Sequence, residues 1–424
     1  MFHYSKGNLY CGQVDLKEIA QAAGTPCYVY SAQSILDAYH AYDDAFGDMP
    51  HLVCYSVKAN STLAVLSLLA RAGCGFDIVS GGELYRVLKA GGDPSRVVFS
   101  GVGKTAPEME FALANGILNF NCESEAELAE LDAIAAKLDL TAGFSMRVNP
   151  DVDAATHPYI STGLRDHKFG IGIAEAPAVY HRAKAFRNLR ARGVDCHIGS
   201  QIVDYSSILE AAGKVAALIE ILRRDGHEID HVDLGGGLGI AYRSGDSAPD
   251  IRDFVAALRA SLPNAGLTIV VEPGRSIVGP AGVLLTRVLY RKKTPSKEFV
   301  IVDAAMNDLI RPALYRAHHD ILPLHRAVVS HEAAAVVADI VADIVTDVVG
   351  PICETGDFLA RDRELPDVQP GEYLAVASAG AYGFVQSSNY NSRPRAPEVL
   401  VEGSRWRIIR ERESYDDLIK GETV

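Results

Sequence analysis

The chain has 424 residues, 48% apolar and 22% charged, which excludes a disordered polymer and exceeds the size at which one hydrophobic core usually stops growing. Its formal charge is −13, from 41 Lys and Arg against 54 Asp and Glu, so nucleic acid and anionic membrane surfaces are poor partners and any anionic ligand needs local cations. The seven scattered cysteines (Cys11, Cys27, Cys54, Cys74, Cys122, Cys196 and Cys353), with no C-x-x-C pair, suggest free thiols in a reducing cytoplasm and neither a disulfide framework nor a metal site.

Met1 to Tyr10 lacks a basic start followed by an apolar run and does not read as a secretory signal. Cys27 to Tyr30 reads as a strand ahead of a first helix. Eight short runs rich in β-branched or apolar residues follow: Leu52 to Val57, Gly75 to Val79, Val97 to Ser100, Leu118 to Cys122, Gly143 to Val148, Val194 to Ile198, His231 to Leu234 and Thr268 to Val271. Most gaps between them carry a helical pattern, as in Thr62 to Ala72, Gly82 to Ala90, Glu123 to Lys137 and Ile208 to Arg224. Turn signals such as Ala90-Gly91-Gly92-Asp93-Pro94 and Arg224-Asp225-Gly226 close several of these helices. Strand then helix, repeated to eight strands, predicts an α/β chain folded as a closed (β/α)8 TIM-type barrel; a count off by one would point to an open, doubly wound sheet.

Beyond Pro273 the pattern changes to strands: Val283 to Leu289, Phe299 to Val302, Val336 to Val349, Tyr373 to Ala377 and Ser404 to Ile409. In Val336 to Val349, Asp at every fourth residue suits a helix and the dense Val and Ile suit a strand; strand is the reading taken. The same aspartates, Asp339, Asp343 and Asp347, interrupt the most apolar stretch, Ala333 to Val349, so no membrane span is expected. The expected organisation is a barrel over residues 31–280 and a second, mostly β C-terminal domain formed by 281–424 together with 1–30, which completes the active site.

Lys58 ends the first run. A lysine at a strand end is commonly a solvated charge, but at the C-terminal rim of a barrel, against apolar wall, it is suited to forming an imine. Gly235-Gly236-Gly237-Leu238-Gly239 follows the seventh run and Gly274-Arg275-Ser276 the eighth. Those are the loops with which barrels often hold phosphate through backbone N–H groups; an ordinary tight turn is the alternative. The spacing is not G-x-G-x-x-G, which argues against a dinucleotide. Glu272, at the end of the eighth run, is placed to keep a pyridine nitrogen protonated, or else to pair with Arg275. His197, at the end of the sixth run, offers a flat ring for stacking, or else is a core histidine.

Five ordered segments carry a resemblance: Tyr55-Ser56-Val57-Lys58-Ala59-Asn60, His197-Ile198-Gly199-Ser200-Gln201, Gly235-Gly236-Gly237, Glu272-Pro273-Gly274-Arg275 and Cys353-Glu354-Thr355-Gly356-Asp357. From about Thr25 to Val401 the chain resembles the barrel-type pyridoxal-phosphate decarboxylases, and among them those acting on diaminopimelate. The resemblance implies pyridoxal 5′-phosphate as cofactor, and decarboxylation of meso-2,6-diaminopimelate to L-lysine and CO2, the last step of lysine synthesis. It implies that Lys58 holds the cofactor covalently, that His197 stacks on its ring, that Glu272 meets the pyridine nitrogen, and that Ser200, Gly236, Gly237, Gly274, Arg275 and Tyr382 surround the phosphate and neighbouring atoms. Arg275, Arg311, Tyr315, Glu354 and Tyr382 would hold the substrate, chiefly its unreactive end, and Cys353 would return a proton to the carbon that loses CO2. A homodimer with shared active sites follows from the same resemblance. Asp77 is a further candidate neighbour of the cofactor, with no role assigned to it.

A sister decarboxylase acting on ornithine, lysine or arginine is the first alternative; Arg311 and the Cys353-Glu354 pair oppose it, because ornithine has no distal carboxylate for an arginine to clamp. A racemase of the same architecture would place an arginine where this chain has Glu272. Intact Lys58 and Cys353 oppose a third reading, a non-catalytic regulator.

Overall fold

The computed structural model describes residues 2–152, 168–262, 266–326 and 344–424. The chain divides into two compact units, one of Leu36–Ile240 and Ser247–Ile277, the other of Met1–Ile35, Ala241–Asp246 and Val278–Val424.

The first unit is the expected barrel. Among its described residues eight parallel strands form a ring: His51–Ser56, Gly75–Ile78, Val97–Phe99, Asn119–Cys122, Ala142–Asn149, Leu189–Asp195, His231–Asp233 and Thr268–Val271. Each pairs with the next, and the last returns to the first through Ile269↔His51, Val270↔Leu52 and Val271↔Val53. The predicted helices Thr62 to Ala72, Gly82 to Ala90, Glu123 to Lys137 and Ile208 to Arg224 are present as Leu63–Arg71, Gly81–Lys89, Glu125–Leu138 and Ser206–Arg224. Two of these starts follow from capping: Ser80 Oγ accepts from Glu83 N–H and Ser124 Oγ from Glu127 N–H, both at 3.2 Å, satisfying a donor each of those helices would leave open. The sixth strand is the one misplaced element. It runs from Leu189 to Asp195, so the reading Val194 to Ile198 began too late and His197 lies beyond the strand, in the loop that follows.

Side chains alternate across each strand, and the inward set changes character along the barrel. Leu52, Cys54, Val98 and Val270 pack together as an apolar layer. One step further along, Ser56, Asp77, Ser100, Asn121, Asp195, Asp233 and Glu272 form a buried polar layer at the C-terminal strand ends. Fully burying a Val or Leu is worth about 1.5–3 kcal/mol, whereas a buried polar group is tolerable only when partnered. The lower layer therefore stabilises the ring, and the upper one is held by its hydrogen bonds.

The second unit is mostly sheet. Its strands run in the order Phe358–Leu365, Ile344–Val349, Glu298–Val302, Gly282–Lys293, Cys27–Ser31, Glu398–Glu402 and Arg405–Arg410. Gly282–Lys293 also pairs with Tyr373–Val376, which carries Ile321–Pro323. Leu9, Leu16, Ile19, Cys27, Val29, Val283, Leu285, Ala375 and Val399 form its core. The strand expected over Val336 to Val349 is present from Ile344; residues 336–343 lie outside the described residues. Phe358–Leu365 was not anticipated, because FLARDREL places the charged run Arg361 to Glu364 inside the strand and shows no apolar alternation.

Candidate active site

Lys58 sits in a single 3₁₀ turn, Val57–Ala59, directly after the first barrel strand. Its ammonium makes a short ion pair with Asp77, and its side chain is 34% exposed while that of Asp77 is 0% exposed. Strand pairing explains the contact, since Ser56 and Asp77 are register partners on neighbouring strands. Ser56 Oγ lies 2.8 Å from Asp77 Oδ2 and 2.9 Å from the Glu272 carbonyl, so the first, second and eighth strand ends share one hydroxyl. Asp77 Oδ1 is buried and makes no hydrogen bond among the described residues.

Glu272 is buried in company. A carboxylate oxygen from each of Asp195, Asp233 and Glu272 lies within 4.8 Å of the others. Ser100 Oγ donates to Glu272 Oε1 at 3.3 Å, and Asn121 Nδ2 donates to Asp233 Oδ2 at 3.1 Å. Burial, then the neighbouring carboxylates Asp233 and Asp77, push the Glu272 carboxyl well above the usual range, with Lys58 opposing. Burial and Asp195 push Asp233 up to about 7, against the lowering effect of the Gly235 N–H and Asn121. Three close carboxyls in a dry site do not all ionise, so the cluster holds at least one proton at neutral pH. Lys104 fixes the rim beside it, its buried ammonium donating to Gly101 O, Asn121 O and Glu127 Oε1 at 2.8, 2.7 and 2.6 Å.

The loops after the sixth, seventh and eighth strands close on one another. Gly236 N–H donates to His197 Nδ1 at 3.2 Å, so that nitrogen is unprotonated. Burial, then the Arg147 and Lys58 cations, hold the His197 ring well below its ordinary pKa and therefore neutral. Arg147 Nη2 in turn donates to His197 O at 3.3 Å, and Arg147 is anchored by Glu123 at 3.0 Å. A Cβ on Gly236 would come 2.1 Å from the Glu272 carbonyl oxygen, and one on Gly237, where φ is +102°, would come 2.4 Å from the Gly199 oxygen. Glycine is required at both. Arg275 Nη2 donates to Ser200 Oγ at 3.0 Å, and Gly274 lies against Ala59 and Ser56. Thus Lys58, His197, Ser200, Gly236, Gly237, Glu272, Gly274 and Arg275 all lie at the C-terminal strand ends of the barrel.

The remaining predicted residues belong to the sheet unit. Arg311 opens the short helix Arg311–Tyr315 and is buried. Its guanidinium carbon lies 4.9 Å from the Tyr242 ring centroid and 5.9 Å from that of Tyr315. Cys353 and Glu354 share an exposed loop; Cys353 N–H donates to Asn391 Oδ1 at 3.0 Å and Tyr390 hydroxyl to Glu354 Oε2 at 3.0 Å. Buried Asp357 fixes that loop by accepting from Met306 and Ile352 N–H, both at 2.7 Å. Tyr382 is half-buried with φ of +56°, a left-handed backbone unusual for a side chain of its size. Sequence reasoning named Asp77 without a role and missed Arg147, Asp233, Tyr242 and His319. Asp233, an acid ending a short buried strand just before the glycine run, was detectable; the others carry no local signal.

Residues 32–279 match the family model described as pyridoxal-dependent decarboxylase, pyridoxal binding domain. The chain is 55% identical over 423 residues, 100% of its own length and 99% of the relative's, to a diaminopimelate decarboxylase of Pseudomonas aeruginosa. It is 51% identical to the one of Vibrio cholerae, over 100% of this chain and 99% of that one. Among solved structures it is similar to diaminopimelate decarboxylase from Helicobacter pylori complexed with L-lysine, with TM-score 0.89, 43% identity, and coverage of 96% of this chain and 98% of that one. A ring of eight strands with a lysine, a buried acid and a glycine cradle at one rim, matched over its full length by these relatives, establishes that the chain belongs to the pyridoxal-dependent decarboxylases.

Proposed function

We propose that the chain decarboxylates meso-2,6-diaminopimelate to L-lysine and CO2, the last step of lysine biosynthesis, using pyridoxal 5′-phosphate. The observation that carries this reading is the 55% identity to a diaminopimelate decarboxylase across both whole chains. The rim of the barrel fits the cofactor by its donor set: an amine, a buried proton-holding carboxyl, a neutral flat ring, and a glycine cradle beside an arginine and a hydroxyl.

Lys58 holds the cofactor covalently, with Asp77 fixing its amine. His197 packs on the ring face, and its neutrality spares the ring a second cation. Glu272 meets the pyridine nitrogen, where its carboxylate would keep that nitrogen protonated. Ser200, Gly236, Gly237, Gly274, Arg275 and Tyr382 surround the phosphate and neighbouring atoms. When bound, the cofactor supplies an electron sink for the pair left behind by departing CO2.

Arg311, with Tyr315, grips the distal carboxylate of the substrate, and Glu354 pairs with the distal ammonium; Arg275 and Tyr382 complete that contact. A planar guanidinium distinguishes a substrate bearing a second carboxylate from ornithine, which has none. Cys353 returns the proton to the substrate carbon. Exposure of Cys353 and Glu354, unlike the six buried cysteines, supports a homodimer in which this loop serves the neighbouring copy. The free thiols support a cytoplasmic location, and among the described residues no helix is long and apolar enough to cross a membrane.

Release of CO2 from meso-diaminopimelate, ornithine, lysine and arginine tests the proposal. Turnover of diaminopimelate alone is expected; comparable turnover of ornithine would replace it with the sister activity.

A further inference from the structure

Resting on the reading of Arg311 as the distal-carboxylate clamp, we infer that His319 is the positioning residue that aims its guanidinium. His319 is fully buried, and both ring nitrogens are committed. Nδ1 lies 2.8 Å from the Ala377 carbonyl oxygen, which can only accept, so Nδ1 carries the hydrogen. Nε2 lies 3.3 Å from Arg311 Nε, which can only donate, so Nε2 is the acceptor. The pair fixes one neutral tautomer and one ring plane.

Tyr242 completes the mount. Its ring meets His319 edge-on at 5.0 Å and 75°, and it lies 4.9 Å from the Arg311 guanidinium carbon. Arg311 is thus held at Nε by the imidazole and on its face by an aromatic ring, each from a different chain segment. A guanidinium restrained this way loses little further freedom on meeting a carboxylate, so the restraint favours ligands bearing that carboxylate.

Two ligands separate this role from general support of the fold: L-lysine, and 1,5-diaminopentane, which is L-lysine without its carboxylate. With the holoenzyme, inhibition constants are measured for both. His319→Leu is expected to weaken L-lysine by about tenfold and leave 1,5-diaminopentane unchanged, while His319→Gln, which restores an acceptor toward Arg311, keeps L-lysine within about twofold of the parent. Should His319→Leu fail to fold, His319→Asn keeps the donor toward Ala377 and withdraws the acceptor, with the same expected result. Equal weakening of both ligands, or of neither, overturns the role of His319. Arg311→Leu is measured alongside. If it abolishes the preference for L-lysine and the His319 variants do not, only the inference falls; if it leaves the preference intact, the clamp reading falls and takes the inference with it.

Discussion

Lys58 and Asp77 are bound to each other at the barrel rim, the amine partly open to solvent and the carboxylate closed off from it. A buried acid with one oxygen committed to Lys58 and Ser56 holds the lysine at a fixed point above the strand ends. Lys58→Ala is expected to abolish turnover and to leave no cofactor on the chain after borohydride reduction, read by mass spectrometry of the intact protein. Asp77→Asn keeps the shape and removes the charge; a fall of at least about tenfold in kcat is expected, with the cofactor still fixed by borohydride. Full activity in Lys58→Ala would end the assignment.

The glycine cradle makes a steric prediction. Gly236→Ala would drive a methyl group into the Glu272 carbonyl, 2.1 Å away, and backbone cannot move aside as a flexible side chain can. A cofactor Kd at least about tenfold weaker and a lower Tm are expected in titration and thermal melts. Gly213→Ala, on the helix Ser206–Arg224 with open space around its Cβ, serves as the control: it should leave the Kd unchanged and hold or slightly raise Tm.

Asp308 predicts how stability depends on pH. Burial lifts its carboxyl to about 7, with Arg393 and the Ala305 N–H opposing, so the folded chain binds this proton more tightly than the unfolded chain does. The contribution is fully present below the unfolded pKa near 3.8 and is lost as pH rises through about 7, with a slope of at most about 1.4 kcal/mol per pH unit from one group. Urea melts of Asp308→Asn between those limits should lose stability less steeply with rising pH than the parent. An unchanged slope would show that other groups carry it.

Thiol reactivity distinguishes one cysteine from six. Burial pushes the thiols of Cys11, Cys27 and Cys74 up to about 11, 12 and 12, and Cys54, Cys122 and Cys196 are likewise buried and raised. Cys353 is exposed. Native protein at pH 8 should therefore react rapidly at Cys353 only, with the other six appearing after denaturation, counted by absorbance and mapped by mass spectrometry. If Cys353 serves a neighbouring copy, L-lysine slows its modification in the dimer.

The barrel was legible because each strand is a short apolar run closed by a turn signal, and the polar residue ending a run marks the rim. Lys58 and Glu272 stood out for that reason. Asp77 did not, since an acid inside four residues of strand acquires meaning only from its register with Ser56. The sixth strand was placed late because Leu189–Asp195 contains Arg190, Arg192 and Gly193, which dilute the apolar signal. Gly193 is needed there: a Cβ would come 2.4 Å from the His231 ring. Tyr242 and His319 escaped notice because neither segment, alone, shows what it meets.

The strand Cys27–Ser31 lies between Gly282–Lys293 and Glu398–Glu402. A chain emerging from the ribosome therefore exposes this segment early and can give it neither neighbour until most of the polypeptide has been made. The ring closed by Thr268–Val271 needs nothing translated later for its own strand pairing. Synthesis order thus favours a barrel that forms while Cys27–Ser31 still waits, unpaired, and it is there that a nascent chain would most benefit from a chaperone.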